Sequence, residues 1–276
     1  MKNLEEYWKQ KENQKPAPEI LNEISEIAYK DWKNDIYNVQ KSKQFIDKLY
    51  DGDFLLIKKA IPIDFIDNLK TKLLKIAENT PSSFHKMIEG CPNFHKKIDD
   101  KIDTKYSIKS TRHSFYFFRW NEESEQIFIN FDTIWSDIKY LSGLNRDSFK
   151  NNTPKNGIVD RVQIVKYPVN TGYIEPHQHN VLHQRLIISV YMSKQGVDYK
   201  NGGTYFLDKN KNKINSETNI DAGDVGIFYA SMIHGVDPVS IFTNQSISNS
   251  GRWWCGLYSP ETDHLENRKT SNPAEI

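Results

Sequence analysis

The chain of 276 residues lacks the features that mark several large classes of protein. Its two cysteines, Cys91 and Cys255, are too few for a disulfide framework and are typical of reduced thiols in a cytoplasmic protein. No apolar run approaches the roughly 18 residues of a membrane span, and the N-terminal residues lack the apolar core of a secretory signal. The formal net charge of +1 favours neither nucleic acid nor membranes. These absences predict a cytoplasmic protein without a nucleic-acid or membrane partner.

Arginine is also scarce, with seven arginines against 30 lysines. A chain that uses lysine on its surface is expected to retain arginine where a planar, two-pronged donor is needed. Arg185 and Arg252 fall within apolar, strand-like runs, and Arg119 lies inside the aromatic segment Ser114-Phe-Tyr-Phe-Phe-Arg-Trp120. These arginines are therefore candidates for binding an anionic group.

The pattern of apolar residues divides the chain into a helical part and a β part. Helical spacing predicts helices over residues 18–33, 39–50, 65–77 and 125–141, with short strands at 54–57 and 114–120. Residues 80–110 form a long irregular segment of the kind that serves as a lid or binding loop. From residue 159 onward, short strands separated by turn signals predict a β-sandwich or barrel. We expect residues 1–150 to support this β part and residues 261–276 to be a polar tail of one structural domain.

Four of the eight histidines are the strongest functional signal. His177 and His179 are two residues apart and would share one face of a strand. With His234 from a later strand, they would form a site for a divalent transition metal. His183 is open to three interpretations: a fourth ligand, a residue that supports a ligand, or a loop residue. No glycine-rich phosphate loop or nucleophile motif is present, so we expect no catalytic residue beyond this metal site.

Several further motifs surround the histidines in a fixed order. They are Tyr167 on a strand, Arg185 before an apolar strand, Gly202-Gly203-x-x-Phe206, Asp221-x-Gly223, His234-Gly-Val-x-Pro238 and Gly251-Arg252-Trp253. This order resembles the Fe(II)- and 2-oxoglutarate-dependent oxygenases, especially the prolyl-hydroxylase-like and phytanoyl-hydroxylase-like branches. The resemblance covers roughly residues 54–80 and 158–260. It implies a mainly β fold with helical support, in which residues 151–260 form a double-stranded β-helix (jelly-roll) core that is catalytic.

The resemblance also implies an activity and its cofactors. Members of this family bind Fe(II), 2-oxoglutarate as co-substrate and O2, and most hydroxylate an unactivated C–H bond. We therefore expect a dioxygenase that acts on a small polar molecule or a peptide side chain. By position, Arg252 would hold the far carboxylate of 2-oxoglutarate, with Tyr167 and Arg185 as further candidates. The candidates for binding the substrate are Tyr116 and Arg119 in the aromatic segment and Arg112 just before it.

One departure from the family pattern concerns the metal. The family motif is His-x-Asp or His-x-Glu, whereas this chain has His177-Gln178-His179. His179 would either bind the metal, or turn away and leave a position open as in halogenases of this family, or mark an altered protein that retains only metal binding. Glu175, two residues earlier, is a substitute carboxylate if the turn at Pro176 allows it.

Two rival interpretations come from other classes of protein. A cupin-type metal dioxygenase would use three histidines, and His183 would stand in the position of the cupin glutamate. That interpretation leaves the Gly202-Gly203 motif and Arg252 unexplained. A non-enzymatic metal- or ligand-binding module would bind metal without consuming 2-oxoglutarate.

Overall fold

The computed structural model describes residues 2–99, 101, 108–243, 251–268 and 271–274. Within these residues there are five α-helices and thirteen β-strands. The helices are α1 (Lys2–Gln14), α2 (Tyr29–Asp35), α3 (Val39–Tyr50), α4 (Ile63–Asn79) and α5 (Glu125–Leu141). The strands are β1 (Ile24–Ala28), β2 (Phe54–Lys58), β3 (Phe94–Ile98), β4 (Ser110–Phe118), β5 (Arg161–Tyr167), β6 (Tyr173–Gln178), β7 (Leu186–Tyr191), β8 (Asn201–Leu207), β9 (Lys213–Asn215), β10 (Val225–Tyr229), β11 (His234–Ser240), β12 (Arg252–Tyr258) and β13 (Asn272–Pro273).

The strands form two sheets that share β4. The larger sheet has the order β1-β2-β10-β7-β12-β5-β4-β3, and the smaller has the order β4-β6-β11-β8-β9 with β13 beside β6. Ser110 and Thr111 pair with β6, whereas residues 113–118 pair with β5. The chain thus passes from one sheet to the other within a single strand. This arrangement is the double-stranded β-helix that the sequence predicts, mainly β with helical support.

The core fills two layers, one between the sheets and one beneath the helices. Between the sheets, the Phe206 ring of β8 lies 5.3 Å from that of Phe54 and 4.9 Å from that of Phe228. On the other side, Trp8 of α1 is fully buried against Tyr229 and donates a hydrogen bond to the Leu141 carbonyl. All six residues of β7 are buried, because both faces of this central strand are covered.

Most elements lie where the sequence predicts them, but one helix prediction is wrong. Helices α3 and α5 have the predicted bounds, and β5, β7 and β10 are among the short strands expected after residue 159. The predicted helix over residues 18–33 is instead an extended segment, the strand β1 and then α2. Ile24 and Ile27 have a helical spacing, yet β1 pairs in parallel with β2, and the backbone N–H of Leu21 donates a hydrogen bond to the Leu207 carbonyl. Non-local pairing therefore overrides the local preference.

The N-terminal part contributes more than helical support. Strands β1 to β4 all precede residue 150, and they form part of the sheets that β5 to β12 complete. The segment over residues 80–110 contains β3 and the first residue of β4 and is otherwise irregular where it is described, while residues 100 and 102–107 lie outside the described part. No helix in the described part of the chain has the length and apolar character that crossing a membrane requires. Cys91 and Cys255 are both buried free thiols.

Candidate metal centre

Three imidazoles meet at one end of the neighbouring strands β6 and β11. His177 on β6 is directly opposite His234 on β11 in the strand register. His179 follows the end of β6 and is fixed by a backbone hydrogen bond of 2.8 Å to the Ala230 carbonyl. One nitrogen of each ring lies within 4.8 Å of the others, a spacing that suits a shared metal ion. The sequence prediction that these three histidines come together agrees with this geometry.

Hydrogen bonds leave the same nitrogen free on His177 and His234. The Nδ1 atom of His177 donates to the Glu175 carbonyl, and that of His234 donates to the Met232 carbonyl, each over 2.9 Å. A carbonyl can only accept, so the proton of the neutral ring is on Nδ1 and the lone pair is on Nε2. This is the arrangement by which proteins orient histidine ligands of metals.

His179 is held by the other end of the chain. Its Nδ1 atom lies 2.8 Å from the Ser271 hydroxyl, next to β13, which pairs with β6 at Gln178 and His177. The C-terminal strand thus helps to aim His179 at the two other imidazoles.

The environment keeps all three imidazoles neutral. Burial, followed by the nearby His234, lowers the pKa of His177 and of His179 well below the ordinary value. Burial also lowers the pKa of His234 to about 4. Neutral imidazole is the form that binds a metal, so protons do not compete for these ligands near pH 7.

Neither of the further candidate ligands joins this cluster. The carboxylate of Glu175 accepts a hydrogen bond of 2.7 Å from the backbone N–H of Lys109. His183 lies 2.8 Å from the carboxylate of Glu261. Within the described residues, the group of possible ligands is therefore made of imidazoles alone.

Arg252 on β12 lines the same cavity as the histidines and forms a buried ion pair with Glu217. The Nε atom of Arg252 lies 2.8 and 2.9 Å from the two carboxylate oxygens of Glu217, and its Nη2 atom donates to Thr204 over 2.6 Å. Burial opposes the charge of Arg252, but Glu217 raises its pKa above the ordinary value. The Nη1 atom is buried and has no hydrogen-bond partner among the described residues. Tyr167 lies beneath the guanidinium, with its ring centre 4.8 Å from Cζ.

The Gly202-Gly203 motif makes room for this ion pair. A Cβ atom on Gly203 would lie 2.6 Å from a carboxylate oxygen of Glu217, and one on Gly202 would lie 2.2 Å from the Pro238 carbonyl oxygen. Both glycines also have positive φ angles of 96° and 99°. The motif is explained by this close approach of backbone and side chain.

Comparisons of sequence find no relative: no protein-family profile and no curated protein matches the chain. Comparisons of structure find several similar proteins. A Neurospora crassa protein, solved at full length in complex with alpha-KG and thymine, matches with a TM-score of 0.52 and 12% identity, over 87% of this chain and 86% of that one. A putative 2OG-Fe(II) oxygenase family protein from Caulobacter crescentus matches with 0.50 and 11%, over 86% of each chain. JOX2 in complex with 2OG, Fe and JA matches with 0.50 and 11%, over 91% and 80%. This chain has the 2OG-Fe(II) oxygenase fold.

The oxygenase fold encloses a cavity of about 310 Å³ at the three histidines. Its arginine content is unusual for this chain. Four of the seven arginines line it, namely Arg112, Arg161, Arg252 and Arg268, and no lysine of the described residues does. Tyr116 and Tyr167, the candidates for the substrate and co-substrate sites, also line the cavity.

Two of the predicted anion-binding arginines are engaged elsewhere in the oxygenase fold. Arg119 pairs with Asp132 and Asp160. Arg185 pairs with Glu12 and donates to the Ser142 carbonyl. Neither side chain lines the cavity. Both arginines hold the helices against the larger sheet.

The structure adds residues that the sequence analysis missed. Glu217 stands in a loop after β9, and nothing in its local sequence points to the arginine that it neutralises. Arg161 did carry a signal, because it belongs to the scarce arginines and alternates with Gln163 and Tyr167 on one face of β5. Ser271 lies in the segment expected to be a polar tail.

Proposed function

We propose that this protein is a non-haem iron dioxygenase that uses 2-oxoglutarate and O2 to hydroxylate a C–H bond of a small molecule. The observation that carries this proposal is the convergence of three neutral imidazoles on one cavity wall, with a buried arginine on the neighbouring sheet. The oxygenase fold supports the same reaction class.

The histidine cluster fits an iron ion. Three imidazole nitrogens on one side of an ion leave positions open on the cavity side, where a co-substrate and O2 can bind. Iron bound there supplies the activation of O2 that C–H oxidation needs. The all-histidine set carries one negative charge less than a set with a carboxylate, and so it favours anionic ligands at the open positions.

The surroundings of Arg252 fit the far carboxylate of 2-oxoglutarate. The free Nη1 atom supplies a buried donor, and Tyr167 supplies a hydroxyl nearby. Because Glu217 already occupies the Nε side of the guanidinium, the carboxylate would meet the remaining end of the fork. The role of these residues is to bind and orient, while the chemistry takes place at the metal.

Two structural neighbours support a small-molecule substrate. The Neurospora crassa protein was solved with thymine and JOX2 with JA, and both were solved with the co-substrate as well. A cavity of about 310 Å³ lies at the lower end of the range for small-molecule sites.

The test is an anaerobic titration of the metal-free protein with Fe(II) and then with 2-oxoglutarate. We expect a saturable visible charge-transfer band, which requires the keto acid to chelate iron through two oxygens. Tight binding of Fe(II) without any band would contradict the proposal.

One observation favours a second candidate, a three-histidine metal dioxygenase of the cupin type. It is the lack of a carboxylate in the ligand group within the described residues. This enzyme would consume O2 at the same metal without 2-oxoglutarate. Oxygen uptake that depends on metal and substrate, but not on 2-oxoglutarate, would identify it.

A further inference from the structure

The cavity has two arginines at opposite ends of the strand pair β5–β12. Arg252 is paired in register with Tyr167, and Arg161 is paired with Tyr258. These positions are six residues apart on each strand, which is roughly 20 Å of extended chain. Even spacing keeps both arginines on the same face of the sheet, toward the cavity. The two guanidiniums therefore cannot serve the same small group.

The guanidinium of Arg161 is held between two tyrosine rings. Its Cζ atom lies 5.3 Å from the ring centre of Tyr116 and 5.5 Å from that of Tyr258. The Nη2 atom donates to the side-chain oxygen of Gln163 over 2.9 Å. The Nε atom is buried and has no hydrogen-bond partner among the described residues. The side chain is thus fixed in place, and its Nε–H donor can bind a ligand.

Arg161 also forms no ion pair within the described part of the chain. The same holds for Arg112, whose Nε atom is likewise buried without a partner there. The other two arginines of the cavity are neutralised, Arg252 by Glu217 and Arg268 by Asp263. Burial lowers the pKa of Arg161, so its surroundings do not offset the loss of water around the charge. A fixed, partly desolvated cation of this kind is a binding site for an anion.

Part of the remaining wall is apolar, whereas other side chains of the lining, among them Glu261, are polar. The side chains that supply the apolar part are Ile174, Ile187, Phe228, Val236 and Trp254. Such a wall provides affinity for a hydrocarbon or aromatic body, while a few polar groups fix its orientation. The metal cluster lies along the same wall, since the ring centre of His179 is 5.9 Å from that of Tyr258.

We propose that Arg161, assisted by Arg112, binds the anionic head group of the substrate, a small molecule with one carboxylate or phosphate on an apolar body. The head group at Arg161 leaves the body beside the histidines, where a C–H bond can be presented to the metal. That this anion is a substrate rests on the proposed function, whereas the binding of an anion at Arg161 does not.

The test uses calorimetric titration of the full-length, metal-free protein with three probes of one shape. Phenylacetate and phenyl phosphate carry the anion, and phenylacetamide is the neutral match. We expect at least tenfold tighter binding of an anionic probe than of the amide, since a charge-assisted hydrogen bond is worth about that factor or more. Arg161→Gln should bring the ratio close to one, and Arg161→Lys should retain part of it, because lysine keeps the charge but loses the fork.

The control variant is Arg146→Gln, which removes the positive charge of a half-exposed arginine that pairs with the buried Asp137 outside the cavity. It should keep the wild-type ratio. A preference for phenyl phosphate identifies phosphate as the head group, and the reverse preference identifies carboxylate. Equal binding of all three probes by the wild type, or an unchanged ratio in Arg161→Gln, overturns the inference. Thermal unfolding of each variant confirms that it is folded.

A second arm separates this inference from the proposed function. If the charge-transfer band does not form but the anion preference depends on Arg161, the co-substrate assignment fails and the anion site stands. If Arg161→Gln abolishes binding of 2-oxoglutarate while Arg252→Met retains it, Arg161 holds the co-substrate and the inference is overturned.

Discussion

The two ends of the cavity use the same side chain in opposite ways. At one end, Arg252 is 1% exposed and is closed by the carboxylate of Glu217. At the other end, Arg161 lies between two tyrosine rings and forms no ion pair with a carboxylate of the described residues. The first arrangement is complete in the folded protein, whereas the second is left for a ligand to complete.

This difference separates structural charge from binding charge. A buried ion pair contributes little net stability, but it is costly to break because each partner is then left alone. A buried cation without a partner lowers stability from the start, and is retained where binding requires it. The surroundings of a guanidinium are thus more informative than its burial.

The largest expected effect follows from breaking the ion pair between Arg252 and Glu217. Arg252→Met leaves Glu217 buried and unpaired, so we expect the free energy of unfolding to fall by about 3–5 kcal/mol. Urea unfolding of the metal-free protein measures this loss. The control is Arg185→Met, whose pair with Glu12 is partly exposed and should cost less than about 1 kcal/mol. A loss of stability in Arg252→Met no larger than that in Arg185→Met would show that Arg252 and Glu217 do not form a buried ion pair.

Removing the carboxylate of Glu217 instead should leave Arg252, like Arg161, without a paired carboxylate. Glu217→Gln keeps an acceptor for the Thr204 backbone N–H but leaves Arg252 without a counter-charge. We expect a loss of roughly 2 kcal/mol in the free energy of unfolding. Millimolar 2-oxoglutarate should restore more stability to this variant than to the wild type, because a ligand that binds only the folded state stabilises it. Equal stabilisation of both proteins would argue against an anion at Arg252.

At the Arg161 end of the cavity, the expected change in the free energy of unfolding has the opposite sign. Arg161→Met removes a cation that no described carboxylate neutralises, so the free energy of unfolding of the ligand-free protein should rise by about 1 kcal/mol. The same urea experiment measures it. A decrease of similar size would mean that a partner for Arg161 exists in the folded protein, and the contrast between the two ends would disappear.

The smallest effect is expected at the metal centre. His179→Asp restores the carboxylate of the family motif, and aspartate is itself a good ligand for Fe(II). We expect Fe(II) affinity to change by less than about tenfold, since the same number of ligands remains. Competition with a chromophoric chelator measures the affinity, and His179→Ala, which lacks a ligand, is the matched comparison. Loss of binding in His179→Asp equal to that in His179→Ala would place His179 in a role that carboxylate cannot fill.

Local pattern predicted most of the elements and the meeting of three histidines, but not the charge balance of the cavity. The spacing of His177 and His179 and the order of motifs up to Arg252 were enough to predict which side chains meet. The partner of Arg252 depends on a loop that reaches across from β9, and no periodicity in sequence encodes such a contact. The same limit explains β1, whose strand state depends on pairing with β2, and Arg119, whose partners Asp132 and Asp160 come from other segments.

The direct pairing of His177 with His234 across β6 and β11 has a consequence for folding. A slip of one residue between these strands would turn one of the two imidazoles to the opposite face of the sheet, so only chains with the correct pairing can chelate an ion. Metal present during refolding would therefore act as a check on strand alignment. Refolding yields with and without a chelator should reveal how often the chain aligns these two strands wrongly by itself.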